Sequence, residues 1–347
     1  MVDGRSVPLR ARIATATEVG GAPSGDDRNE AIQGSKSTYS NPFAVLLAGG
    51  VGGARTARSL RTRLTAAQMT VVGNVGDDDH MYGVPVSADL DTLVYTLAGI
   101  EGPEGWGIRG DTFTVMDHLQ SLGVDTSFRL GDRDLSMCLL RLQWLTSGGT
   151  LSGATTSIRA GLGVDTPVLP ASDDEIRTRI RTVEGSWLSF QEYFVERGHR
   201  DEVAEIEYAG AESAEPAPGV IEAIESASTV VIAPSNPPLS IRPILEVRAI
   251  ARTVAEHRKV VAISPLFGGR ALKGPADRVM ASLGYPSGNA GVAAAYDGMI
   301  TDLVIDAGDA SDADQLSESV GVHITDTHLA SHDSSQRFGR WFERTFA

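Results

Sequence analysis

Cysteine is almost missing from this chain. Cys138 stands alone among 347 residues, so no internal disulfide can form, and a reducing cytoplasm fits. Cys138 lies in an apolar helical run and reads as a small buried core residue. Positive charge is also short. Against 45 Asp and Glu stand only 30 Lys and Arg, a formal net charge of −15. That balance argues against nonspecific nucleic-acid binding, which depends on basic side chains neutralising phosphates. No apolar run approaches transmembrane length, and no apolar leader core opens the chain, so neither a membrane partner nor a secretory signal is expected. Internal repeats and nucleic-acid modules are lacking as well. The rest is 41% hydrophobic and 22% charged, enough for one large or two modest soluble domains.

Chemistry concentrates between Phe43 and Thr92. The apolar run Phe43-Ala44-Val45-Leu46-Leu47-Ala48 leads into Gly49-Gly50-Val51-Gly52-Gly53-Ala54-Arg55. A second β-prone run, Thr70-Val71-Val72-Gly73, ends in Asn74-Val75-Gly76-Asp77-Asp78, and Asp89-Leu90-Asp91-Thr92 follows. Strand, glycine turn, helix, strand and acidic loop in that order place an anion cradle beside carboxylates. The glycines allow positive φ and close approach of a ligand, and a helix starting at Ala54 would add its free N–H groups and dipole. Ala57, Leu60 and Leu64 fall at the spacing that docks this helix on a sheet. Four aspartates, Asp77, Asp78, Asp89 and Asp91, suit a divalent cation such as Mg²⁺, which takes one or two carboxylates and keeps substrate phosphates and water.

The glycine turn is neither a dinucleotide fingerprint, because Arg55 stands where G-x-G-x-x-G needs glycine, nor a P-loop, because no G-K-[ST] follows. It resembles the opening motif of the transferases that build the deazaflavin cofactor F420, the 2-phospho-L-lactate and phosphoenolpyruvate transferase family. Asn74-Val75-Gly76-Asp77-Asp78 and Asp89-Leu90-Asp91-Thr92 resemble its acidic motifs, with Ala88 where the family usually has proline. Several later stretches are similar too. One is the loop Gly105-Trp106-Gly107-Ile108-Arg109, whose Arg109 is a candidate contact to the flavin-like substrate or a plain surface residue. In Gly131-Asp132-Arg133-Asp134 a site role and a helix-capping role stand equal. Gln191-Glu192-Tyr193-Phe194-Val195, Pro234-Ser235-Asn236-Pro237 and Ser264-Pro265-Leu266-Phe267-Gly268-Gly269 complete the set, with Lys273 just beyond.

The alternation of strand and helix patterns predicts an α/β fold, a Rossmann-like, mostly parallel sheet with its ligands at the carboxyl ends of the strands. Residues 1–42 read as a flexible extension and 43–310 as the α/β transferase domain. Within it, 93–225 form a helical-plus-β insertion over the crevice, and 311–347 are a helical tail that packs on the domain. Asp111 or Thr112 is expected to cap the following helix, and Trp187 to Val195 to be a strand.

The resemblance implies an enzyme that moves a phosphoenolpyruvyl or 2-phospholactyl group from a guanosine diphosphate adduct to the ribityl hydroxyl of Fo, releasing GMP. It also implies a homodimer. Catalytic work is expected of Asp77, Asp78 and Asp91, and metal binding of Asp77, Asp89 and Asp91. Substrate contacts are expected from Gly49, Gly50, Gly52, Gly53, Arg55, Asn74, Asp78, Thr92, Trp106, Arg109, Asp132, Arg133, Ser235, Asn236, Pro237, Ser264, Gly268, Gly269 and Lys273. Two other classes use similar folds. One is the nucleotide-sugar-binding regulators of the gluconeogenesis-factor family, which open on a different glycine motif. The other is the Rossmann oxidoreductases. Because residues 1–42 carry few large apolar groups, deletion of residues 1–40 should leave melting temperature and turnover unchanged; loss of soluble protein would show a structural element there.

Overall fold

Strands form where nearly every residue is apolar, because a parallel strand is covered on both faces. In the computed structural model, which describes residues 42–272, 274–296 and 298–346, seven strands make the main sheet. They are β1 (Ala44–Ala48), β2 (Met69–Gly73), β3 (Val168–Pro170), β4 (Thr229–Ile232), β5 (Val260–Ile263), β6 (Asp302–Asp306) and β7 (Gly321–Thr325). Every residue of β1, β2, β4 and β5 is buried. All pairings are parallel, in the order β3-β2-β1-β4-β5-β6-β7. The fold is therefore the expected α/β, doubly wound type, with its direction of winding reversing between β1 and β4, where such sheets leave a crevice. Register sharpens this: Ala48 lies opposite Gly73 and Leu47 opposite Ile232. The three chains leave the sheet at one level.

Helices α1 (Gly50–Arg61), α2 (Ala88–Leu97), α3 (Thr114–Ser121), α4 (Asp132–Thr146) and α5 (Leu151–Gly161) follow in the first half. Helix α1 begins four residues earlier than expected. Gly50 has φ +63° and turns the chain straight into the helix. The next glycines serve contact: a Cβ on Gly52 would lie 2.3 Å from the Pro234 carbonyl oxygen, and one on Gly53 2.8 Å from the Ala48 Cβ. Ala57, Leu60 and Leu64 are buried against the sheet as expected.

Three further regions differ from the sequence expectation. Val168–Pro170, inside the presumed insertion, returns to the main sheet as its edge strand beside β2, a place where proline is tolerated. Trp187 to Val195 is a strand only over Trp187–Ser189. Glu192 then accepts from the Ser189 N–H (2.6 Å) and the Ser189 hydroxyl accepts from the Glu192 N–H (3.2 Å), and this exchange starts a wide helical turn, Glu192–Glu196. The presumed tail also adds a strand, β7, before its helix, His332–Phe346, buries Phe338 and Phe342. The extension expected from the sequence over residues 1–42 lies outside the described residues, apart from Pro42.

The close approach at α1 makes a contrast measurable. Gly52→Ala should lose about 1–3 kcal/mol of stability, the usual cost of overpacking. Gly161→Ala, at a helical position with nothing within 4 Å of its Cβ, should be neutral or gain a few tenths. Equal melting curves for the two variants would remove the packing role assigned to Gly52.

Candidate active site

One carboxylate ties the crevice together. Asp89, in the first turn of α2, accepts from the Gly50 N–H (2.7 Å) and from the Asn74 amide (2.9 Å). Asn74 itself is anchored to the sheet by its N–H, which donates to the Ala48 carbonyl, and its side-chain oxygen accepts from the Gly76 N–H (2.8 Å). The Ser235 hydroxyl donates to the Gly49 carbonyl (2.6 Å), joining the loop after β4. Gly49, Gly50, Asn74, Asp89 and Ser235 are thus brought together. The first N–H of the glycine turn, however, faces Asp89.

Each of the four expected aspartates has its own surroundings. Asp77 is 4% exposed, and its Oδ1 is buried without a partner, while its carbonyl accepts from the Gln191 amide (3.0 Å). Asp78 is half-buried; Oδ2 accepts from the Ser87 hydroxyl (2.7 Å) and Oδ1 is shielded without a partner. Asp91 forms an ion pair with Arg141, itself 1% exposed. Among the described residues, these four do not form a three-ligand cluster. The tight group here is Asp91, Asp134 and Cys138, with ligand atoms within 4.8 Å of one another. Thr92 is buried on α2.

Burial raises the pKa of all four. It draws Asp78 up to about 7 against the pull of Ser87, Arg141 and Arg177. It draws Asp89 up to about 6 against Asn74 and Gly50. Asp77 is pushed well above the usual carboxylate range by burial and then by Asp89. Asp91 is raised by burial and restrained by Arg141. The crevice is short of positive charge. The unpartnered oxygens of Asp77 and Asp78 fit a hard cation, because such an ion needs only one or two protein carboxylates.

Basic residues collect in a separate hollow. Arg55, Arg58 and Arg109 line a hollow of about 190 Å³ with Glu101 and Gly105. Arg58 pairs with Glu101 at 2.7 Å, Arg109 lies 3.8 Å from the same carboxylate, and burial, then Arg58, lowers the Arg55 pKa. Trp106, 61% exposed, leads from this hollow into solvent.

The Gly-Asp-Arg-Asp stretch resolves toward capping. Asp132 accepts from the Thr112 hydroxyl (2.6 Å) and the Thr114 and Val115 N–H groups (3.0 Å each), which holds its pKa down at about 2. Asp111 accepts from the Arg133 and Asp134 N–H groups (2.9 and 3.0 Å). The two acids cap each other's helices, so α3 is capped from α4 and not by Asp111 or Thr112. Arg133 is exposed and donates to the Arg109 carbonyl at 3.3 Å.

The remaining expected residues lie along the same sheet edge. Asn236 accepts from the Leu239 N–H (3.3 Å) at the start of Pro237–Ile241, and its Nδ2 is buried without a partner. Ser264 donates to Asn289 (2.5 Å). Gly268 and Gly269, at φ +60° and +74°, line a different hollow of about 530 Å³ with Ser287, Gly288 and Asp309. Lys273 lies outside the described residues. Sequence reasoning missed Ser87, Gln191, Arg141 and Asp309 as partners of these groups. Two carried a signal: Gln191 opens a stretch similar to the family, and Arg141 is an arginine three residues after Cys138 in an apolar helical run.

A doubly wound sheet with glycine turn and carboxylates at its switch point defines a ligand-handling α/β protein. The family model described as 2-phospho-L-lactate transferase CofD matches residues 44–337, and the chain belongs to that transferase family and is an enzyme. The chain is 41% identical over 296 residues to a protein of Streptomyces griseus named phosphoenolpyruvate transferase, covering 83% of this chain and 93% of that one. It is 38% identical over 300 residues to the 2-phospho-L-lactate transferase of Methanopyrus kandleri, covering 85% and 95%. Among solved structures, a UPF0052-family protein from Bacillus halodurans superposes with a TM-score of 0.56 at 18% identity, over 82% of this chain and 92% of that one, a likeness of fold. No described helix is long and apolar enough to cross a membrane.

A carboxyl whose folded pKa lies above its unfolded value binds more protons when folded between those two values. For Asp78 that interval runs from the ordinary carboxyl value of 3.8 to about 7, so the metal-free fold should lose stability as pH rises through it. Asp78→Asn should flatten this part of the melting-temperature profile between about pH 4 and 7; an unchanged slope would show that Asp78 ionises normally.

Proposed function

We propose that the protein transfers a phosphoenolpyruvyl group from a guanosine diphosphate adduct to the terminal ribityl hydroxyl of Fo, giving GMP and dehydro-F420-0. The observation that supports this reading is the pair of unpartnered Asp77 and Asp78 oxygens on the loop that Asp89 ties to the Gly49–Gly50 turn, in a chain similar to a protein named phosphoenolpyruvate transferase. The 2-phospholactyl group is the second reading, motivated by the relative from Methanopyrus kandleri.

The hydroxyl oxygen forms a bond to the phosphorus that carries the three-carbon acid, the bond from that phosphorus to GMP breaks, and the hydroxyl proton leaves to a carboxylate. Asp78, held by Ser87 and with its pKa drawn to about 7, has the affinity such a proton acceptor needs near neutral pH. Asp77 would hold Mg²⁺ through its unpartnered Oδ1, while Asp89 and Asp91, committed to Gly50, Asn74 and Arg141, would shape the acidic crevice around it. The ion supplies charge neutralisation for the departing GMP phosphate. Arg55 and Arg109 offer the donor and acceptor local positive charge in a protein whose net charge is −15. A cytoplasmic homodimer completes the proposal.

Mass spectrometry of the product formed from Fo and each guanylylated acid tests this. The enolpyruvyl donor should give the dehydro product, and Asp77→Asn should abolish metal-dependent transfer while melting as the parent does. No product with any guanylylated donor, or full turnover in EDTA, would overturn the reading.

A further inference from the structure

Arg141 sits 1% exposed in the middle of Leu139-Leu140-Arg141-Leu142, at the place on α4 where a core residue would serve packing alone. Its guanidinium is used as a fork. Nη2 donates to Asp91 Oδ1, and Nη1 donates to the Pro85 carbonyl at 3.2 Å. These acceptors lie on either side of Ser87, the residue whose hydroxyl holds Asp78 Oδ2 at 2.7 Å. The Asp91 N–H closes the turn by donating to the Ser87 carbonyl at 2.9 Å. Arg141 therefore grips the chain just before and just after the group that orients Asp78.

Stability alone accounts poorly for this arrangement. A buried ion pair offers little over well-packed apolar residues of the same volume, and here Arg141 Nε is buried with no partner at all. The two terminal nitrogens are committed to two points flanking Ser87, one on the short strand Val84–Val86 and one in the first turn of α2, which a planar fork can do and a single ammonium cannot.

We propose that Arg141 is a positioning residue for the transfer reaction: by bridging the Pro85 carbonyl and the Asp91 carboxylate it fixes the Ser87 hydroxyl, and through it the direction of the Asp78 carboxylate. This rests on the reading that Asp78 handles the acceptor hydroxyl.

A double-mutant cycle tests it. Arg141→Lys keeps the charge opposite Asp91 and loses the bridge. It should melt cooperatively, with kcat lowered about tenfold or more and KM for both substrates within about twofold, since a small misdirection of a reacting group costs up to about 10²-fold in rate. Ser87→Ala should lower kcat in the same way. The double variant should be no slower than the slower single variant, because both act on Asp78 through one path. Should Arg141→Lys not fold, Arg141→Gln, which retains one donor pair, takes its place under the same criteria. Parental kcat in the Arg141 variant, or losses that multiply in the double variant, would overturn this role alone. A parent chain without turnover would overturn the proposed reaction and this role with it.

Discussion

The Asp89 carboxylate joins three segments that nothing in the chain order brings together: the entry to α1, the loop after β2 and the start of α2. Its two hydrogen bonds decide where the crevice floor lies. An N–H at a helix start attracts negative charge, and here the protein's own carboxylate answers it. Much of the glycine motif is explained by this closure. Gly50 makes the turn, and Gly52 lets α1 meet the chain leaving β4.

Crowding acids in a shielded crevice raises the free energy of every ionised form, and the protein answers differently at each one. Asp91 receives a buried arginine, Asp89 receives two N–H donors, and Asp78 receives one hydroxyl. Asp77 keeps an oxygen without any donor. The acids with the fewest internal partners are thus Asp77 and Asp78, and this gradient divides scaffold carboxylates from those left for a ligand. The same division separates Asp132, occupied by two helix N–H groups and a threonine, from the chemistry its motif first indicated.

The likeness to the Bacillus halodurans structure is one of scaffold, at 18% identity. Chemistry on such a scaffold resides in loops at the strand ends. In this chain the loop after β4 is hydrogen-bonded to the loop after β1, and Asp89 bridges the latter to the loop after β2, while the loops after β5 and β6 bound a hollow of their own around Gly269 and Asp309.

Local pattern was enough to read the strands β1, β2, β4, β5 and β6, the glycine turn, the acidic loops and the family, because each depends on residues close in sequence: apolar runs, φ-permissive glycines, adjacent carboxylates. Edge strands β3 and β7 were not legible: β3 has three residues, β7 is partly exposed and lacks a continuous apolar run, and pairing with a neighbour makes each a strand. Nor could sequence divide the labour of the aspartates. Which one meets Arg141, 50 residues on, which meets Gly50, 39 residues back, and which two keep bare oxygens depends on contacts made by folding alone. Charge in a shielded site is governed by distance in space, and only the tertiary structure sets that distance.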